Sequence, residues 1–113
     1  MARLSIALIA GTSAMLLSLA HAPTAAAGAA PKVHVVVIDK MKFGALPTGL
    51  KVGDTIRWVN KDLFRHTATA KDGSFNVDLA AGAQGTMRLT KAGTIAFFCR
   101  YHPGMTGQLT VAK

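Results

Sequence analysis

From position 32 onward, short apolar stretches alternate with clusters of turn-forming residues. Positions 33–38 form a β-branched run (VHVVVI) that reads as a strand. Gly44, Pro47, Gly49, Gly53 and Asp54 make turn-rich ground around a short extended piece at 50–52. Thr55–Asn60 alternates, with Ile56 and Trp58 on one face and Arg57 on the other. His66–Ala70 reads as a further short strand, closed by a tight turn at 71–74. Positions 84–90 alternate again, Met87 and Leu89 inward and Arg88 outward, before a turn at 91–93. The stretch 94–99 places Ile95, Phe97 and Cys99 on one face, and Thr106–Ala112 does the same with Gly107, Leu109 and Val111. Outside the first 27 residues no window carries a helical period. Seven to eight short strands, with turn signals about every ten residues, predict an all-β sandwich. In that frame Met41 and Met87 are expected in the core and His34 on the surface.

The N-terminal stretch follows a different pattern. Arg3 is the only charge before Lys32, and a mostly apolar run and an alanine-rich exit come after it. A basic start, an apolar middle and small residues at the exit read as a secretory signal peptide. The expected cut follows Ala27, with a cut after Ala22 as the alternative. The expected organisation is therefore a leader over 1–27 and one domain over 28–113, delivered to a bacterial periplasm without stable membrane insertion.

The domain is strongly basic. Without Arg3 it keeps 12 Lys plus Arg against five Asp and no Glu. The basic residues are spread singly, with no Lys/Arg run and no interleaved aromatics, which argues against nucleic acid and for a monomer that steers acidic partners. Cys99 is the only cysteine, so no disulfide can staple the chain internally. A metal ligand would explain both the missing staple and the single exported thiol.

The stretch that carries chemistry is Cys99-Arg100-Tyr101-His102-Pro103-Gly104-Met105, between two expected strands. It offers a thiolate, an imidazole and a thioether from one tight loop. A second imidazole, His66, stands far upstream at the start of another strand, and strands distant in sequence can be neighbours at one end of a sandwich. Two imidazoles, a thiolate and a weak thioether suit a single copper ion cycling between Cu(I) and Cu(II). Structural zinc prefers more thiolates and has little use for methionine.

These residues resemble the cupredoxins, the blue-copper family that includes plastocyanin, pseudoazurin and amicyanin. The resemblance covers nearly all of 32–113. It rests on Val52-Gly53-Asp54-Thr55-Ile56-Arg57-Trp58-Val59-Asn60, His66-Thr67, the cysteine strand, and His102-Pro103-Gly104-Met105. The short Cys-x2-His-x2-Met spacing is similar to that of amicyanin. The resemblance implies a Greek-key β-sandwich and a type 1 copper with His66, Cys99 and His102 as ligands and Met105 as the axial thioether. Two positions depart from the family: Arg65 stands where proline is common, and Thr67 where asparagine is common. The Thr67 hydroxyl is expected to bond across to the cysteine loop in place of that asparagine, more weakly.

The function implied is one-electron transfer between redox proteins, with no bond made or broken and so no enzymatic activity. Phe97, Phe98 and Ile95 are expected to form the shell around the cysteine. Leu63, Phe64, Pro103 and Gly104 would form a contact patch around His102. Arg65 and Arg100 would draw acidic docking surfaces, as of a c-type cytochrome or a periplasmic dehydrogenase or oxidase. The alternative is a copper carrier or chaperone that hands the ion to a partner.

Overall fold

The computed structural model describes residues 29–113 and, nearer the N terminus, positions 5, 7, 10, 11 and 18–20. The expected leader over 1–27 lies largely outside the described residues.

Nine strands follow one another: β1 (Val33–Asp39), β2 (Lys42–Phe43), β3 (Leu50–Lys51), β4 (Thr55–Asn60), β5 (His66–Ala70), β6 (Asn76–Leu79), β7 (Gln84–Arg88), β8 (Gly93–Phe98) and β9 (Thr106–Ala112). One sheet runs β2-β1-β4-β7 and the other β3-β9-β8-β5-β6. The β-sandwich is the expected one. The strand count exceeds the expected seven to eight because β2 is only two residues long and β6 carries weak strand formers. Asn76 and Asp78 face outward from that edge strand, where polar residues also discourage pairing with a second chain.

Alternation sets the core. β4 turns Ile56, Trp58 and Asn60 inward and Arg57 outward. Parallel pairing of β1 with β4 sets Val36 beside Trp58 and Ile38 beside Asn60. From the facing sheet come Ala68, Ala70, Leu79, Ile95, Phe97, Leu109 and Val111, all buried. Phe97 packs edge-on to Trp58 at a ring separation of 5.3 Å and to Phe43 at 4.8 Å. Such edge-to-face pairs add about 0.5–1.5 kcal/mol beyond area burial. Gly107 is required beneath Phe97, because a Cβ there would lie 2.4 Å from Phe97 Cζ. Among the described residues, Trp58 Nε1 is the buried side-chain polar atom left without a hydrogen-bond partner. That orphan costs about 1–3 kcal/mol, which the aromatic packing offsets.

Two residues sit differently from expectation. Met41 is 37 % exposed, because it occupies the two-residue β1–β2 turn with Lys40, both at positive φ (60° and 52°). His34 is no free surface residue: its Nε2 lies 2.9 Å from the fully buried Asp54 carboxylate. The parallel β1–β4 pairing brings them together at the pole where both strands begin. The ends of β1, β4 and β8 and the starts of β5 and β9 gather at the opposite pole.

Candidate metal centre

At that second pole, β5 opens on His66 and β8 runs out into Cys99. The loop from Cys99 to Met105 folds on itself through backbone bonds. His102 N donates to Cys99 O (3.3 Å), Met105 N to His102 O (2.8 Å) and Cys99 N to Met105 O (3.0 Å). These bonds turn the loop tightly, so Cys99, His102 and Met105 come from a single corner. Cys99 and His66 are fully buried, Met105 is buried among the core residues, and His102 is half-buried.

The ligand atoms of His66, Cys99 and His102 all lie within 4.8 Å of one another. Cys99 Sγ is 3.7 Å from His66 Nδ1 and 3.6 Å from His102 Nδ1. A first-row metal bonded to imidazole nitrogen and thiolate sulfur at about 2.0–2.3 Å sets those donors about 3.7 Å apart in a trigonal plane. The separations found here match that spacing, so the donor set fits an ion of this kind. Of the four residues expected from the sequence, three converge by their donor atoms. Met105 joins them through its backbone bonds to Cys99 and His102.

Neighbouring residues hold these donors in place. Thr67 N donates to Cys99 Sγ at 3.3 Å, which ties the sulfur to the start of β5. The Thr67 hydroxyl accepts from Arg100 N at 2.9 Å, the expected link to the cysteine loop. Asp62 was not foreseen. Its Oδ2 lies 2.7 Å from His66 Nε2, and the same carboxylate accepts from Lys40 N (2.7 Å) and Met41 N (2.9 Å). The Met41 amide foremost, with His66 and Lys40, lowers the Asp62 pKa against a desolvation penalty. With Nε2 held by the carboxylate, His66 presents Nδ1 to the sulfur, an outer partner that sets ring orientation. The carboxylate also offsets the cost of two non-glycine residues at positive φ, about 1–2 kcal/mol each.

Asn60, also unforeseen, organises the 61–65 loop. Its Oδ1 accepts from Asp62 N (2.9 Å), and its Nδ2 donates to Phe64 O (2.8 Å), Leu79 O (3.1 Å) and Ala80 O (3.2 Å). The available sequence signal was a carboxylate four residues before a candidate imidazole ligand.

Fold and donor set together define a blue-copper site. The chain belongs to the cupredoxin-like family, whose domain model matches residues 7–111, and it is a type 1 copper protein of that family. It is similar to amicyanin of Paracoccus versutus, 33 % identical over 95 residues that span 79 % of this chain and 72 % of the relative. Amicyanin of Paracoccus denitrificans is 32 % identical over 106 residues, spanning 80 % and 74 %. The crystal structure of the Paracoccus versutus amicyanin superposes with a TM-score of 0.59 at 29 % identity, covering 74 % of this chain and 83 % of that one.

Proposed function

We propose that this chain is an exported one-electron carrier in which His66, Cys99, His102 and Met105 hold a single type 1 copper. The observation that carries this reading is the buried Cys99 sulfur, flanked by two imidazole nitrogens at 3.6 and 3.7 Å. When bound, the ion supplies a one-electron couple, Cu(II)/Cu(I). The chain's own residues do the rest. The sandwich and the Asp62 and Thr67 bonds keep the donors nearly fixed, so little rearrangement accompanies electron exchange. Phe97 contributes an apolar wall and is fully buried.

His102 is the donor nearest the surface. Its ring meets Phe64 edge-on at 6.4 Å. Phe64 (58 % exposed) and the loop neighbours Tyr101 (54 %), Pro103 and Gly104 are exposed, as is Leu63 (91 %) beside Phe64 in sequence. Such an apolar rim suits brief docking of a redox protein, and electrons would cross at the His102 edge. Arg65 is engaged by Asp78 through two bonds of 2.8 and 3.0 Å, so its charge is largely answered within the chain. Arg100 is exposed and forms no ion pair among the described residues; Asp78 feels its charge only at longer range, which supports Arg100 as the group facing an acidic partner.

Burial of both Cys99 and His66 supports retention of the ion, as a carrier of electrons needs, over ready hand-off of the ion itself. The leader pattern over 1–27 supports periplasmic residence. Among the described residues no helix is long and apolar enough to cross a membrane. The test is to load the purified domain with Cu(II) and record visible and EPR spectra. The expected result is a strong blue colour with a small copper hyperfine splitting, both lost in Cys99→Ser. A colourless, water-like copper spectrum from the wild-type protein would refute the reading.

A further inference from the structure

Thr67 stands at the head of a chain of hydrogen bonds that leaves the metal centre and reaches an exposed strand edge. Its Oγ1 accepts from Arg100 N at 2.9 Å and lies 2.9 Å from Thr69 Oγ1. Thr69 Oγ1 in turn donates to Asn76 Oδ1 at 2.7 Å. A hydroxyl carries one proton, and an amide oxygen only accepts. The Thr69 proton is committed to Asn76, so Thr69 accepts from Thr67. Thr67 therefore donates outward while it accepts from Arg100. The direction of the whole relay is set: Arg100 N–H to Thr67, Thr67 to Thr69, Thr69 to Asn76.

Strand register explains why these groups meet. Thr69 on β5 pairs with Asn76 on β6 and with Phe98 on β8. Thr67 lies two residues back on the same face of β5, beside the residue that follows Cys99. Thr67 is buried (2 % exposed), Thr69 is half-buried and Asn76 is exposed. A buried hydroxyl with both its donor and its acceptor capacity engaged has a single rotamer left to it. Bonds arranged head to tail also strengthen one another.

We propose that Thr69 and Asn76 are positioning residues for the metal centre, acting through Thr67; this rests on the copper reading above. They fix the Thr67 hydroxyl so that it holds the Arg100 amide, while the Thr67 amide stays on the Cys99 sulfur. Donors to a ligating sulfur tune its potential. The N–H on Cys99 Sγ favours the more electron-rich, reduced site, so slackening it lowers the potential.

The experiment compares wild type with Thr69→Val, Thr69→Ser and Asn76→Asp. Two quantities are read: hydrogen exchange of the Arg100 amide in the metal-free protein, and the reduction potential of the copper-loaded protein. Thr69→Val is nearly isosteric and breaks the relay; it is expected to speed Arg100 exchange about fivefold, the loss of one ordinary hydrogen bond, and to lower the potential. Thr69→Ser keeps the hydroxyl and restores both. Asn76→Asp can only accept, so it keeps the Arg100 amide protected. If Thr69→Val leaves exchange and potential at wild-type values in a blue protein, the relay has no positioning role. If Asn76→Asp exposes the Arg100 amide as Thr69→Val does, the assigned direction is wrong. Failure of the wild type to form a blue site would overturn the copper reading instead, and exchange in the metal-free protein would still report on the relay.

Discussion

The Asp62 carboxylate lies 2.7 Å from His66 Nε2, while Nδ1 of the same ring points at the Cys99 sulfur 3.7 Å away. One side chain in the 61–65 loop thereby sets the orientation of an imidazole that is itself wholly buried. Asp62→Ala is expected to lower copper affinity by about tenfold or more, the usual cost of losing such an outer carboxylate. Competition against a chelator of known affinity measures it. Asp62→Asn should fall between, because one acceptor oxygen is replaced by a donor facing the Lys40 or Met41 amide. An affinity unchanged in Asp62→Ala would show that the ring is held by packing alone.

Asp54, at the other pole, predicts an acid-labile fold. Its buried carboxylate accepts from Lys51 Nζ (2.7 Å), Lys32 N (2.9 Å), His34 Nε2 (2.9 Å) and Lys51 N (3.2 Å). The Lys51 ammonium first, then the Lys32 amide and His34, hold its pKa far below the ordinary 3.8. Because the folded value lies below the unfolded one, this stabilisation is complete above the unfolded pKa and is lost as pH falls toward the folded one. Urea unfolding of the metal-free protein should give a stability that is level from neutral pH down to about pH 5 and then declines steadily. Asp54→Asn should be less stable at neutral pH and show a shallower decline. A residual slope should remain from Asp62 and Asp78, whose pKa values are lowered chiefly by the Met41 amide and by Arg65, and from Asp72, whose pKa is lowered to about 2 chiefly by the Ser74 hydroxyl and amide.

Gly107 lies under the Phe97 ring, and Phe97 cannot retreat because Phe43 and Trp58 pack edge-on against it. Gly107→Ala is expected to destabilise the fold by about 1–3 kcal/mol, the range for overpacking a filled core. A lowered urea midpoint with an unchanged slope would confirm it.

The rim around His102 predicts two separable kinetic effects. Phe64→Ala removes an exposed ring and should slow electron transfer to a partner about tenfold at any salt concentration, as loss of an interface aromatic does. Arg100→Glu should slow the encounter with an acidic partner at low ionic strength, and the difference should close as salt is added. Stopped-flow rates across a salt series distinguish them. If both variants match wild type with every partner, docking takes place on another face.

How much of this could be read from the chain depended on the range of the contacts. Cys99, His102 and Met105 lie within one loop, so their spacing alone marked them as a unit. His66 was legible by residue type and by its place at a strand start. Asp62 was not, because an aspartate in a loop looks like ordinary turn chemistry until the β1–β2 turn folds back onto it. The His34–Asp54 pair needed the parallel pairing of β1 with β4, a long-range fact that no local pattern carries. Met41 was misplaced for a related reason: an apolar residue near a strand suggests core, but the tight turn at Lys40–Met41 carries it outward. The inward faces of β4, β8 and β9 were read correctly, because alternation is a local signal and the sandwich buries one face of each.

Complete enclosure of Cys99 and His66 has a kinetic corollary. A competing chelator in solution can approach only from the His102 side, and the sulfur stays beyond its reach while the Cys99–Met105 corner is closed by its three backbone bonds. Departure of a bound ion would then wait on spontaneous opening of that corner. At high chelator concentration the rate of metal loss should reach a plateau that reports the opening itself.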